Sequence, residues 1–226
     1  MIKASFGDRL DAWIHRIFPF LFWRPLHPDA LTVTGAGVSV VSALVLANGD
    51  LLAGGLLILF GGFFDLVDGV VARHHGIATS FGAFLDSTLD RLVDAVLMLG
   101  LIVLYASTGD LLTAAVASVA LVATFLTSYA KARAETVIPK LEGGLLERGE
   151  RIGLLATGAI LDVMVPVLWL LAAGTCFTVA QRFTVAYREL SRLDAAREPA
   201  TDPLSPSLDP LSGDSMSGDP IPGGPS

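Results

Sequence analysis

The chain has 226 residues, of which 53% are hydrophobic and 16% charged, with a formal net charge of −7. Soluble domains carry roughly 25% charged residues; together with a mean hydropathy of +0.65, this excludes an ordinary soluble domain and indicates a membrane protein of one domain. The single cysteine, Cys176, excludes an internal disulfide; it sits in an apolar run, where a buried, inert thiol is expected.

Residues 1–24 open the chain. Phe6, Leu10, Trp13, Ile14, Ile17 and Phe18 recur at helical spacing, interrupted by Asp8, Asp11, His15 and Arg16. Such interruption is incompatible with a signal peptide. The periodicity fits an amphipathic helix on the membrane surface or a helix packed on the bundle; the division adopted is a juxtamembrane amphipathic helix over 1–24.

A hydrocarbon core is crossed by roughly 20 apolar residues of helix. Spans are expected at Ala30–Asn48, Leu51 to about Ala72, Gly82 to about Tyr105, and Leu111–Ala130. Ile152–Leu161 is short and reads as a fifth span beginning near Glu147; Val163 to about Val185 is the sixth, with Pro166 near its start. The expected fold is therefore an all-α integral membrane bundle of six transmembrane helices, occupying 25–192, with the N-terminal surface helix in front of it. From 193 to 226 Pro, Ser, Asp and Gly dominate without periodicity, which reads as a disordered tail. Glu198, Asp202, Asp209, Asp214 and Asp219 put much of the net negative charge there, so the overall charge says little about the folded part.

The connections at Asn48–Asp50, Ser107–Asp110 and Asp162 carry no Lys or Arg. The opposite side carries Lys3, Arg9, Arg16, Arg24, Arg73, Lys131, Arg133, Lys140, Arg148, Arg151, Arg182, Arg188 and Arg192. Positive residues mark the cytoplasmic side. Both termini are thereby expected in the cytoplasm of a multi-pass cell-membrane protein.

Asp65, Asp68, Gly69, Ala72 and Arg73 are spaced i, i+3, i+4, i+7 and i+8 on the second span, so they share a face; Gly82, Asp86 and Asp90 share a face of the third. The short segment His74–Phe81 makes the two spans antiparallel neighbours, so the carboxylate faces can meet. Each carboxylate at membrane depth costs about 2.5–3.5 kcal/mol, and mutual repulsion adds to that. Hard divalent cations, Mg²⁺ or Mn²⁺, in one or two copies, remove both costs. His74 and His75 read as a solvated pair rather than ligands. Gly69 and Gly82 serve either close helix packing or a cleft for a ligand, and Arg73 stands where it could hold a phosphate.

The pattern D-x-x-D-G-x-x-A-R-x8-G-x-x-x-D-x-x-x-D is matched at every fixed position from Asp65 to Asp90, and it resembles the signature of the CDP-alcohol phosphatidyltransferase family. The resemblance covers roughly residues 1 to 190. It implies transfer of a phosphatidyl group from a CDP-linked lipid to the hydroxyl of an alcohol, with release of CMP. It further implies two divalent ions held by Asp65, Asp68, Asp86 and Asp90, with Asp90 also the general base. Asp65, Asp68, Gly69, Ala72, Arg73 and Gly82 would bind the donor nucleotide and its phosphates, with Thr32 reaching the same ligand. The family's Pro-Asn opening of the first span stands here as Pro28-Asp29, and either residue can cap a helix. Asp94, outside the signature, is expected to pair with an arginine. A homodimer and membrane lipids as surroundings are implied; no nucleic-acid partner is expected.

Two further stretches, S-Y-x-K-A-R-A-E from Ser128 and the Glu147-Arg148-Gly149-Glu150-Arg151 run, with Gln181-Arg182 later, resemble the phosphatidylinositol-phosphate synthase branch. That resemblance implies inositol phosphate as acceptor, its phosphate bound by Lys131, Arg151 and Arg182. Glycerol 3-phosphate is the alternative acceptor, since it would use a similar cationic pocket. Intramembrane acids also occur in cation transporters, but there they tend to lie at mid-membrane on broken, repeated helices; here they gather at one end of two helices and no repeat is visible.

Overall fold

The computed structural model describes residues 27–75, 79–141 and 143–197. The surface helix expected over 1–24 lies outside the described residues, as does the tail from 198. Two units are distinguished, Met1–Leu190 and Ser191–Ser226; the second is described only over the end of the last helix.

Six helices are described: α1 Pro28–Ala47, α2 Leu51–His75, α3 Ser80–Ser107, α4 Leu111–Ala134, α5 Arg148–Ile160 and α6 Met164–Arg197. Helices α1, α2, α4 and α6 each contain a stretch long and apolar enough to cross a membrane. Helix α3 is long enough but carries Asp86, Asp90, Arg91 and Asp94 in its first half. Helix α5 has 13 residues, about 20 Å at 1.5 Å per residue, against a core of about 30 Å. The chain is thus an all-α, multi-pass membrane protein with four spans apparent from length and composition.

Local sequence sets the boundaries. Pro28 occupies the first turn of α1, where its missing N–H costs nothing; the cap position falls on His27, without a side-chain bond, so Asp29 lies in the first turn rather than at the cap. Thr79 caps α3, its hydroxyl accepting from the Gly82 N–H at 2.9 Å. Asp110 caps α4, accepting from the Thr113 N–H at 3.0 Å and the Thr113 hydroxyl at 2.6 Å, and these bonds hold its carboxyl below the usual value. The Glu147 N–H donates to the Glu150 carboxylate at the start of α5. Asp162 turns the chain from α5 into α6 with φ 54°, a left-handed conformation that Asp tolerates better than most residues.

Helix α2 continues through His74 and His75, so the connection to α3 is shorter than His74–Phe81. Helix α6 runs to Arg197, five residues past the expected end of the domain. Helix α1 packs on both α2 and α3, with further packing of α3 on α4 and α2 on α5. The neighbours expected from the short connection, α2 and α3, are therefore joined largely through α1. Small residues make this possible. A Cβ on Gly100 of α3 would lie 2.4 Å from the Ala43 carbonyl oxygen of α1, and one on Gly61 of α2 would lie 2.7 Å from the Ser39 hydroxyl. The Ser42 hydroxyl donates to the Gly54 carbonyl at 2.8 Å across the α1–α2 contact.

Leu46, Leu97, Leu101, Leu155, Leu168 and Leu171 are buried at the centre, with Ala117 and Ala120 from α4. Many other large apolar side chains, among them Leu44, Leu99, Val122 and Phe177, face outward. Cys176, expected in the interior, is exposed on α6 beside Phe177. In a membrane protein an apolar run covers lipid-facing and core positions alike, so hydropathy alone does not assign the thiol to the core.

Candidate metal and substrate site

The acids converge at one end of the bundle. Asp65 and Asp68, one helical turn apart on α2, and Asp86 on α3 each offer an oxygen, and these oxygens lie within 4.8 Å of one another. Asp68 is buried, whereas Asp65 and Asp86 are half-buried. Three carboxylates at that spacing form a hard oxygen donor set without Cys or His, which fits Mg²⁺ or Mn²⁺. Asp90, one turn beyond Asp86, stands apart from this trio. Its Oδ1 lies 2.9 Å from Nη2 of Arg148.

Thr32 enters from α1 and donates to Asp68 Oδ2 at 2.5 Å, with the Pro28 carbonyl at 3.0 Å as its other acceptor. It therefore orients a carboxylate of the cluster. Gly82 lies against α1: a Cβ there would meet Asp29 Oδ1 at 3.0 Å and Thr79 Oγ1 at 3.1 Å, so the close-packing reading accounts for this glycine. Gly69, Ala72 and Arg73 fall on the α2 helix on the same face as the acids, but their side chains lie outside the described residues.

Two cavities flank the cluster. One runs from Asp65 between α1, α2, α3 and α5, with Thr32 and Arg148 at its polar end and Ile58, Val93 and Leu97 along its apolar length. The other is polar and is lined by Ser128 and Lys131 of α4, Arg151 of α5 and Arg182 of α6. The cavities have two lining residues in common, Asp90 and Arg148.

The structure thus brings together Lys131, Arg151 and Arg182, which come from three helices. Lys131 lies in the last turn of α4, where the carbonyl end of the helix favours a cation. Arg182 is fixed by donating to the Thr127 carbonyl at 2.6 Å and the Gly143 carbonyl at 3.2 Å. Arg151 is ion-paired with Asp94 at 2.5 Å, both side chains only 6% exposed. Asp94 has the arginine partner expected of it. Arg151 is the partner, so this guanidinium is held by a carboxylate as well as facing the cavity. Its Nε–H remains without an acceptor among the described residues.

Arg148 is the site residue that the sequence reading leaves unassigned. Its Nη1 donates to Asp65 Oδ2 at 2.5 Å while its Nη2 meets Asp90. The available signal is the spacing: Arg148 and Arg151 are i, i+3 on α5, facing Asp90 and Asp94 at i, i+4 on α3. Two arginine–aspartate rungs connect the helices.

A model of the family described as CDP-alcohol phosphatidyltransferase matches residues 25–187. The phosphatidylinositol phosphate synthase of Streptomyces avermitilis is 38% identical over 213 residues, covering 86% of this chain and 87% of its own. The crystal structure of the Mycobacterium tuberculosis phosphatidylinositol phosphate synthase with CDP-DAG bound matches with a TM-score of 0.67 at 31% identity, over 80% of this chain and 93% of that one. The structure of that synthase in complex with manganese and citrate matches with a TM-score of 0.69 at 32% identity, over 80% of this chain and 88% of the other.

Proposed function

This chain belongs to the CDP-alcohol phosphatidyltransferase family, and from that premise we infer a metal-dependent phosphatidylinositol phosphate synthase: it moves the phosphatidyl group of a CDP-linked lipid, such as CDP-diacylglycerol, to a hydroxyl of inositol phosphate and releases CMP. The observation that carries the reading is the place of Asp90. It is the carboxylate common to a cavity with an apolar length, suited to a lipid donor, and a cavity lined by cations, suited to a phosphorylated acceptor.

In this reading Asp65, Asp68 and Asp86, with Asp90 at their edge, hold Mg²⁺ or Mn²⁺, in two copies when fully loaded. The cation would neutralise the donor pyrophosphate and the charge developing on departing CMP. Thr32 keeps Asp68 turned into the site. Asp65, Asp68, Gly69, Ala72, Arg73 and Gly82 surround the nucleotide and its phosphates. Lys131, Arg151 and Arg182 fix the acceptor phosphate and so hold the reacting hydroxyl towards Asp90. Asp90 takes the hydroxyl proton; the oxygen bonds to the lipid-bearing phosphorus, and the bond from that phosphorus to the CMP oxygen breaks.

The charge asymmetry supports six spans with α3 and α5 included, the site and both termini being cytoplasmic. Residues 1–24 would lie on the membrane surface, 25–192 would form the catalytic domain, and the segment after the last helix would be a cytoplasmic tail. A homodimer is the proposed assembly.

The acceptor is tested with purified protein, CDP-diacylglycerol and Mg²⁺ or Mn²⁺, comparing inositol phosphate, inositol and glycerol 3-phosphate by lipid-product analysis. Phosphatidylinositol phosphate is the expected product. Phosphatidylglycerophosphate alone would reassign the acceptor while leaving the family chemistry in place.

A further inference from the structure

We propose that Arg148 is a positioning residue that couples cation loading to communication between the donor and acceptor cavities. The inference rests on the phosphatidyltransferase reading above and deepens it.

Arg148 is the first residue of α5, and its guanidinium spans two helices, reaching Asp65 Oδ2 on α2 at 2.5 Å and Asp90 Oδ1 on α3 at 2.9 Å. These two carboxylates have different tasks: Asp65 belongs to the donor set for the cation, and Asp90 faces the acceptor. One side chain therefore restrains both. Because Asp90 and Arg148 line both cavities, their ion pair stands where donor and acceptor must meet.

Arg148 and a divalent cation are rivals for Asp65. A guanidinium on Oδ2 uses a lone pair of the carboxylate and repels further positive charge. When the cation takes Asp65, Arg148 loses one of its two anchors. Its hold on Asp90 weakens with it, since the fork can no longer be fixed at both ends. The nearest new anion is then the donor pyrophosphate, to which Arg148 can turn. Asp90 is freed for the acceptor hydroxyl, and the partition opens only in an enzyme already loaded for transfer.

Two observations separate this from a merely structural ion pair. The neighbouring rung, Arg151–Asp94, is sealed at 6% side-chain exposure on both partners, whereas Arg148 is 27% exposed and Asp65 30%. One rung is therefore locked and the other has room to move. In addition, Nε of Arg148 has no hydrogen-bond partner among the described residues, so the guanidinium has a donor left for a further anion.

The test is Mn²⁺ binding to the purified full chain in detergent without substrates, followed by electron paramagnetic resonance of the free ion. Arg148→Gln, which removes the rival charge, is expected to bind Mn²⁺ about tenfold more tightly than wild type. Arg148→Lys, which keeps the charge but lacks the fork, is expected to fall between the two and decides the matter where the glutamine variant fails to fold. In turnover, the acceptor KM of the wild type is expected to fall as Mn²⁺ rises, and this dependence is expected to be lost in the variants. Unchanged or weakened Mn²⁺ binding in the folded variants would overturn the proposal, leaving the transferase reading intact. A wild-type protein that binds no Mn²⁺ or Mg²⁺ would overturn both.

Discussion

Arg151 on α5 and Asp94 on α3 form an ion pair at 2.5 Å with both side chains 6% exposed, directly beneath the cavity that contains Lys131 and Arg182. The carboxylate neutralises a buried guanidinium while leaving its Nε–H without a protein acceptor. Asp94 thus holds Arg151 in place for an anion without binding that anion itself.

The first prediction concerns this pair. Asp94→Ala leaves Arg151 buried and uncompensated, which costs about 3–5 kcal/mol. Thermal unfolding in detergent should show a large fall in Tm. The double variant Asp94→Leu with Arg151→Met should recover most of that loss, since apolar replacements of both partners remove the stranded charge. It should still bind the acceptor poorly. A double variant as unstable as the single would show that the pair is not the source of the loss.

Asp90→Asn removes the proton acceptor but keeps the shape of the side chain. Turnover should fall by about 10²–10⁴, the usual contribution of a positioned general base. Binding of the CDP-lipid, followed by calorimetry or tryptophan fluorescence, should stay within a few-fold of wild type. Turnover near the wild-type rate would remove Asp90 from the base role.

Lys131 lies at the end of α4 in the polar cavity. Lys131→Ala should raise the acceptor KM about tenfold to a hundredfold, corresponding to a charge-assisted bond of about 1.5–3 kcal/mol. The donor KM should be unchanged. Equal shifts in both would indicate a general loss of the site rather than loss of an acceptor contact.

Helix packing gives a prediction independent of catalysis. Gly100→Ala would place a methyl group 2.4 Å from the Ala43 carbonyl oxygen, so α1 and α3 must separate. A cost of about 1–3 kcal/mol is expected from overpacking, read as a lower Tm. Gly37→Ala on α1, where no atom lies within 4 Å, should leave Tm unchanged or higher.

Much of the acidic face was legible because helical periodicity is local. Asp65 and Asp68 at i, i+3 must share a face of α2 whatever surrounds them, and the same holds for Asp86, Asp90 and Asp94 on α3. That Asp94 needs an arginine follows from its cost in an apolar setting. Which arginine it takes does not follow, because Arg151 lies 57 residues further on and the pairing depends on how α5 packs. Arg148 was obscured for the same reason. Its bond to Asp65 spans 83 residues, and charge alone made it one more cation on the positive side. The burial of Cys176 was misread because lipid and protein core attract the same side chains. The outward position of Phe177 beside it is visible only once α6 is placed in the bundle.

The most direct test of the central claim is CMP release from CDP-diacylglycerol by the purified chain, with divalent cation and inositol phosphate supplied separately and together. Release that requires both, that is lost on chelation of the cation, and that disappears in Asp65→Asn and Asp68→Asn is the predicted result. No CMP release with any phosphorylated acceptor, accompanied by cation flux in liposomes containing the protein, would contradict the account.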